Sequence, residues 1–320
     1  MKAIMYHYVR PYNPRLPILK HLHIDDFCKQ LDYFQENYHF IDKQDFLSYF
    51  ETANSKQQTA NSKQQTANSG IILTFDDGLS CHYDYVFPEL KKRGLWGIFY
   101  VPTGVHQTNK LLDVHRTHIL LASCSEKSVF DVLNQKITDD ILMDANRSEF
   151  QKETYKMQLD SDYAKMVKRI LNYYIDYQFR EKILDELIDE FGLQDVCQVN
   201  EFYINDQQMQ EMKDGGMIIG SHSVNHPVMS KLSYDEQKIE IRQSFVRLND
   251  YIDICSKTFC YPYGGKHSYT EETVQILNQE QCIFSFDVNS RDITVQDIKN
   301  NPQTLPRYDC NEFPYGQVRK

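Results

Sequence analysis

The sequence predicts an α/β chain in which buried parallel strands alternate with helices, as a barrel or a doubly wound sheet, interrupted by one long helical insertion. Three observations predict it. GIILTFDDG (70–78) is a continuous β-branched and apolar run, the pattern of a strand buried on both faces, and it ends in polar residues at a turn. A helix through Lys92 stops at Gly94, and WGIFYVP (96–102) reads as the next buried strand, which completes a βαβ unit. No proline lies between Pro102 and Pro227 and no glycine between Gly104 and Gly192, so 106–205 reads as helix, much longer than an ordinary βα connection.

The remaining elements follow in chain order. Ala3 to Val9 reads as a strand, and RPYNPRLP after it excludes helix. Asp25 or Asp26 is expected to cap a helix through Tyr38 that carries Phe27, Leu31 and Phe34 on one face. Residues 52–69 repeat TANSKQQ, TANSKQQ, TANS; no position of this seven-residue unit supplies an apolar seam, so the repeat reads as a mobile surface loop and not a coiled coil. After the insertion come a helix near Asp206 to Lys213 and the strand MIIGS, which leads into HSVNHP. Ser233 and Glu236 stand at capping-box spacing before a long helix carrying Ile239, Phe245, Leu248 and Ile252. Short strands fit KTFCYP, CIFSF and the TLPRY region. The expected organisation is a barrel from 1–105 and 206–320, with 106–205 as a helical insertion placed to cap a site.

Composition narrows the function classes. With 320 residues and a hydrophobic fraction of 41% the chain can bury a core without staples. The 22 tyrosines suit half-buried surfaces or a polar-aromatic groove. A net charge of −10, with no dense run of Lys and Arg, argues against a nucleic-acid partner. The start MKAIMYHYVR lacks the apolar core of a signal peptide, and no later run has the length of a membrane span, which makes a cytoplasmic location the expectation. Eight cysteines are scattered without a CxxC pair, as expected of reduced, mostly buried thiols.

Two strand ends carry the chemistry. Asp76 and Asp77 adjoin at the end of a buried strand, where like charges raise one another's proton affinity unless a cation or donor intervenes. Adjacent strand residues face opposite ways, so one carboxylate can bind a metal while its neighbour addresses a water where the turn twists both toward a common site; a β-turn or helix cap fits the pair taken alone equally well. His222 and His226, four apart after a second strand, converge on one ion if the segment turns helically, although such spacing is more often ordinary surface polarity. Together with an Asp from the first strand end they supply three ligands and leave a position for water, the composition of a catalytic zinc site.

TFDDG at 74–78, HSVNHP at 222–227 and FCYPYGG at 259–265 resemble, in the same order, the first three motifs of the polysaccharide deacetylases, the NodB-homology proteins of carbohydrate esterase family 4. The resemblance covers about 70–102 and 206–310 and leaves out the insertion. It implies a distorted (β/α)7 barrel, Asp76 as general base, and Asp77, His222 and His226 as ligands of a divalent metal, Zn2+ first, with Ni2+, Co2+ or Mn2+ as alternatives. It also implies that the backbone N–H of Tyr263 helps form an oxyanion hole, with Pro262 and Gly264 shaping the turn that aims it. Where the family's third motif carries an Arg, this chain has Cys260; Arg307, in LPRY, is the candidate replacement, a plain surface arginine being the alternative. The family's catalytic acid is usually a histidine near the C-terminus, and none follows His267 here. MYHYV at 5–9 resembles the permuted poly-N-acetylglucosamine deacetylases, which place that histidine on the first strand, and this implies His7 as the acid.

The implied reaction is removal of an N-acetyl group from a sugar or glycan, with a nucleotide- or lipid-linked precursor of surface-glycan synthesis as the expected substrate of an intracellular enzyme. Asp113, His115 and His118, in LLDVHRTH of the insertion, are candidates for selecting it, with amphipathic helix packing as the alternative reading. Two rivals stay open: a C–N hydrolase of a non-sugar amide, like the allantoinase-like relatives of the fold, and a glycan-binding protein that has kept the barrel without catalysis.

Overall fold

The computed structural model describes residues 1–54, 70–144, 147–155, 160–254 and 256–318; positions 55–69 of the TANSKQQ repeat lie outside the described residues. The described strands are β1 (Lys2–Tyr6), β2 (Val9–Arg10), β3 (Leu22–His23), β4 (His39–Phe40), β5 (Gly70–Phe75), β6 (Ile98–Val101), β7 (Ile218–Ser221), β8 (Thr258–Cys260), β9 (Phe284–Phe286) and β10 (Tyr308–Asp309). The chain divides into two compact units, one of Met1–Pro11, His21–Gly104 and Tyr203–Arg319, the other of Tyr12–Lys20 and Val105–Phe202.

In the first unit seven strands run parallel in the order β10-β1-β5-β6-β7-β8-β9, with β4 added beside β5. Leu305 bridges Phe286 at the β9 edge, and three residues on Tyr308 pairs with Ile4 of β1, so one short segment joins the two edges of the sheet. This curled parallel sheet, with helices outside, is the expected barrel. All six residues of β5 are buried, as its unbroken apolar run requires. By alternation Ile71, Leu73 and Phe75 join an outer core with Phe27, Phe34, Leu90 and Phe99, while Ile72 joins an inner core with Tyr100, Ile218, Cys260 and Phe286. Parity therefore continues the inner face through Thr74 to Asp76.

Because the strands are parallel, their C-terminal ends share one rim. There Tyr6 is followed by His7, Phe75 by Asp76, Ser221 by His222, Cys260 by Tyr261 and Phe286 by Asp287. Among the described residues no helix is long and apolar enough to cross a membrane. The seven described cysteines are free thiols, and Cys81, Cys260, Cys282 and Cys310 are buried.

Several local expectations are corrected. The first strand ends at Tyr6; His7 and Tyr8 break it, and Val9–Arg10 pairs instead with Leu22–His23 in a separate ribbon. The cap of helix Ile24–Asn37 is His23, whose Nδ1 accepts the Asp25 N–H, while Asp25 and Asp26 lie in the first turn, where the helix dipole favours them. The Ser233–Glu236 capping box forms at the start of helix Tyr234–Ile252. That helix buries Ile241, Phe245, Leu248 and Ile252, but Ile239 is 53% exposed, because residues two apart cannot share one helical face.

The second unit is helical. Helices Asp113–Ser123, Glu126–Lys136, Asp162–Arg169 and Tyr177–Glu190 bury Ile119, Leu120, Val129, Leu133, Val167, Leu184 and Leu187. The proline-rich segment Tyr12–Lys20 belongs to this unit, where Arg15 donates to Glu201 at 2.8 Å and Lys20 pairs with Asp160.

Candidate active site

Asp76 is 2% exposed and held by Arg307, whose Nη1 and Nη2 each donate to one carboxylate oxygen at 2.8 Å. The guanidinium is fully buried, and each of its five N–H groups has an acceptor. Besides Asp76 these are Thr74 Oγ1 (3.0 Å), Cys260 Sγ (2.9 Å) and the Asp287 carbonyl (3.4 Å). Burial pushes the Asp76 carboxyl up, but the charge and hydrogen bonds of Arg307 outweigh it and bring it down to about 2. Asp76 is thus a carboxylate throughout the physiological range.

Asp77 turns away from that pairing with φ 78°, and Gly78 follows at φ 61°, where an added Cβ would meet Val101 Cγ1 at 3.0 Å. Asp77 Oδ1 lies 3.4 Å from His222 Nε2 and 3.5 Å from His226 Nε2, all three residues being buried. These separations are long for hydrogen bonds, yet two donors about 2.0–2.1 Å from one tetrahedral ion stand roughly 3.3 Å apart. His222 Nδ1 is 2.8 Å from the Cys260 carbonyl, which fixes the ring with Nε2 toward Asp77. The His226 N–H donates to Ser223 Oγ at 3.0 Å, and both of these residues have left-handed backbone, φ 55° and 64°. Oxygen and imidazole donors, buried and so spaced, fit a divalent metal. Asp76, His222 and Cys260 also bring donor atoms within 4.8 Å of one another, but Arg307 occupies two of those three, and a cation there would meet a guanidinium.

The Pro-Tyr-Gly-Gly turn stands beside the trio, with the Tyr263 ring centroid 4.9 Å from that of His226. Tyr263 has φ 63°, and the carbonyl of Gly264, itself at φ 68°, accepts the Val288 N–H at 2.8 Å; an added Cβ at Gly264 would meet Val288 Cγ2 at 2.3 Å. Pro262 is buried in the same turn. His7 lies in the break after β1, its side chain 43% exposed and its Nε2 4.0 Å from Asp76 Oδ2. Asp76, Asp77, His222, His226, Tyr263, Arg307 and His7 thus come together at one rim. Asp113, His115 and His118 belong to the helical unit. There Asp113 is held by Arg116 and Arg180, and His115 is fully buried against Phe202 and His118.

The polysaccharide deacetylase family model matches residues 63–282. The chain belongs to that family. It is a carbohydrate deacetylase, and the acetylated glycan substrate expected from the motifs follows from membership. Its fold is shared with several solved structures. A Streptococcus pyogenes deacetylase, PplD, in complex with acetate is 17% identical with a TM-score of 0.57, covering 97% of this chain and 91% of that one. IcaB from Ammonifex degensii is 17% identical with a TM-score of 0.51, covering 96% and 89%. A de-N-acetylase from Aggregatibacter actinomycetemcomitans is 13% identical with a TM-score of 0.51, covering 96% and 93%. No curated protein matches the chain.

Three further residues of the deacetylase shape the site and were not singled out in the sequence. Glu240 accepts the Val224 and Asn225 N–H groups at 2.9 Å and Asn225 Nδ2 at 2.7 Å, which pins the His222–His226 loop. Asp287, 2% exposed, accepts the Tyr269 hydroxyl at 2.9 Å, and burial pushes its carboxyl up to about 6. A signal for it existed, since FSFD repeats the pattern of a buried strand ending in a carboxylate. His82, fully buried, has its Nε2 2.8 Å from the His7 carbonyl.

Proposed function

We propose that the enzyme removes the N-acetyl group of an N-acetylated sugar with a divalent metal, zinc first, held by Asp77, His222 and His226. The observation that carries this reading is the 3.4 and 3.5 Å spacing of that trio beside a second carboxylate, Asp76, kept ionised by Arg307. When bound, the cation supplies a Lewis acid that polarises the acetyl carbonyl and acidifies water. Asp76 takes the proton of the attacking water. Arg307 secures the ionised form of Asp76 that can accept this proton. The Tyr263 N–H donates to the oxygen that gains charge. His7, protonated, donates to the departing nitrogen, which would otherwise leave as an amide anion.

Acetate release from a panel of N-acetylated sugars, sugar nucleotides and lipid-linked sugars, with and without chelator, tests this; the nucleotide- and lipid-linked arms test the precursor class expected from the sequence. Release from at least one sugar, abolished by chelator and restored by zinc, is expected. Release only from a non-sugar amide, or glycan binding without release at full metal loading, sinks the proposal in favour of one of the two rival readings.

A further inference from the structure

The acid His7 sits on the break after β1, its side chain 43% exposed and its Nε2 4.0 Å from Asp76 Oδ2. Its peptide, however, is held. The Tyr6 carbonyl accepts the Asp76 N–H at 2.9 Å and the Tyr8 carbonyl accepts the Leu22 N–H at 2.9 Å. Between them the His7 carbonyl lies 2.8 Å from His82 Nε2. A carbonyl only accepts, so His82 is the tautomer that carries its proton on Nε2. Burial pushes His82 down to about 4, which keeps that single N–H tautomer at neutral pH.

His82 is itself rigid. It opens the π-helix His82–Val86, its N–H donates to Leu79 in the turn after Asp76-Asp77-Gly78, and its ring packs 5.7 Å from Phe75 and 5.8 Å from Phe99. π-helical turns of this kind occur often at functional sites. One imidazole therefore ties the loop of the base to the loop of the acid.

We propose that His82 is a positioning residue whose Nε2–H fixes the His7 peptide, and so sets the reach of the His7 imidazole toward the departing nitrogen. This rests on the reading of His7 as the acid. The variants are His82→Phe, which keeps a flat ring without the donor, and His82→Gln, whose amide can still donate. Both are assayed as metal-loaded enzyme on an N-acetylated sugar and on 4-nitrophenyl acetate, whose leaving group departs without a proton.

His82→Phe is expected to lower kcat on the N-acetylated sugar roughly tenfold to a hundredfold, within the span of acid–base contributions. KM, metal content and turnover of the activated ester should stay near wild type, and His82→Gln should recover most of the lost kcat. Unchanged kcat in His82→Phe, equal losses on both substrates, or no recovery with His82→Gln overturns the inference. His7→Ala separates the two levels. If it keeps wild-type turnover of the N-acetylated sugar, the acid assignment falls and this inference with it; if it loses turnover while His82→Phe does not, only the positioning role falls.

Discussion

Asp76 in the barrel and Asp113 in the helical unit are both carboxylates clamped by arginine, and the difference between them shows what marks a site. Asp113 begins a helix and shares its two oxygens between Arg116 and Arg180, while Arg116 also reaches Asp185. Negative and positive groups alternate there and sum to zero, a self-contained structural network. Asp76 and Arg307 also sum to zero, but the next residue, Asp77, has two imidazoles against its Oδ1 in place of a guanidinium. The backbone differs as well. Of the nine described non-glycine residues in the left-handed region, four are Asp77, Ser223, His226 and Tyr263 of the motif loops. Such conformations persist where surroundings over-determine them, as at catalytic and binding loops. An Asp–Arg pair is therefore weak evidence of function by itself; strained strand ends and unlike partners for adjacent carboxylates carry the distinction.

The comparison breaks most sharply on activity. Asp76→Asn should lower kcat by roughly a hundred- to ten-thousandfold with the metal retained, whereas His222→Ala should lose the metal. Asp113→Asn should leave kcat within about twofold. Metal analysis and acetate release of the three variants decide it; a comparable kcat loss in Asp113→Asn would return that residue to substrate recognition. Next in size is Arg307→Met, which leaves Asp76 buried without its cation and should cost about 3–5 kcal/mol. In the wild type the folded carboxyl of Asp76 lies below its unfolded value, so its contribution is present above about pH 4 and is lost as pH falls toward 2. In Arg307→Met burial is left with only the smaller effects of His222 and His7 against it, and the shift reverses. The acid limb of the pH–rate profile should then move upward, and an unmoved limb would remove Arg307 from the control of Asp76.

Much of the barrel was legible because its signals are local. The six-residue run of β5, the Ser233–Glu236 box and the strand ends bearing Asp76-Asp77 and His222 need only neighbouring residues to declare themselves. The end of β1 was not legible, since Ala3 to Val9 is uniformly apolar or aromatic apart from His7, and the break is made by Asp76, His82 and Leu22 from other elements. The grouping of Tyr12–Lys20 with the helical unit rests on pairs such as Lys20–Asp160, 140 residues apart, which no local pattern encodes. Arg307 stood among the candidates only through the motif comparison; its five acceptors come from three separate strand ends and are visible only in three dimensions.

Two smaller effects sharpen the contrast between the regions. Arg180→Met in the helical unit should lower stability by about 1–3 kcal/mol, the range for a hydrogen bond to a charged partner left unmade, with kcat on the N-acetylated sugar unchanged. Equilibrium unfolding beside acetate release checks this, and a kcat loss without a stability loss would contradict a purely structural network.

Asp287 offers the smallest and most diagnostic test, because its sign is opposite to that of Asp76. Burial raises its folded carboxyl to about 6, above the unfolded value, and Arg307, Lys266 and Arg291 only partly offset this. The folded state therefore favours the protonated form, and stability falls as pH rises from about 4 through 6. Asn at this position cannot ionise and keeps an oxygen for the Tyr269 hydroxyl. Asp287→Asn should thus be more stable than wild type at pH 8, by about 1 kcal/mol, and lose that advantage near pH 5. Unfolding at the two pH values measures the difference directly. A variant less stable at both would mean that ionised Asp287 is held by the neighbouring cations after all, and that the rim balances two carboxylates and not one.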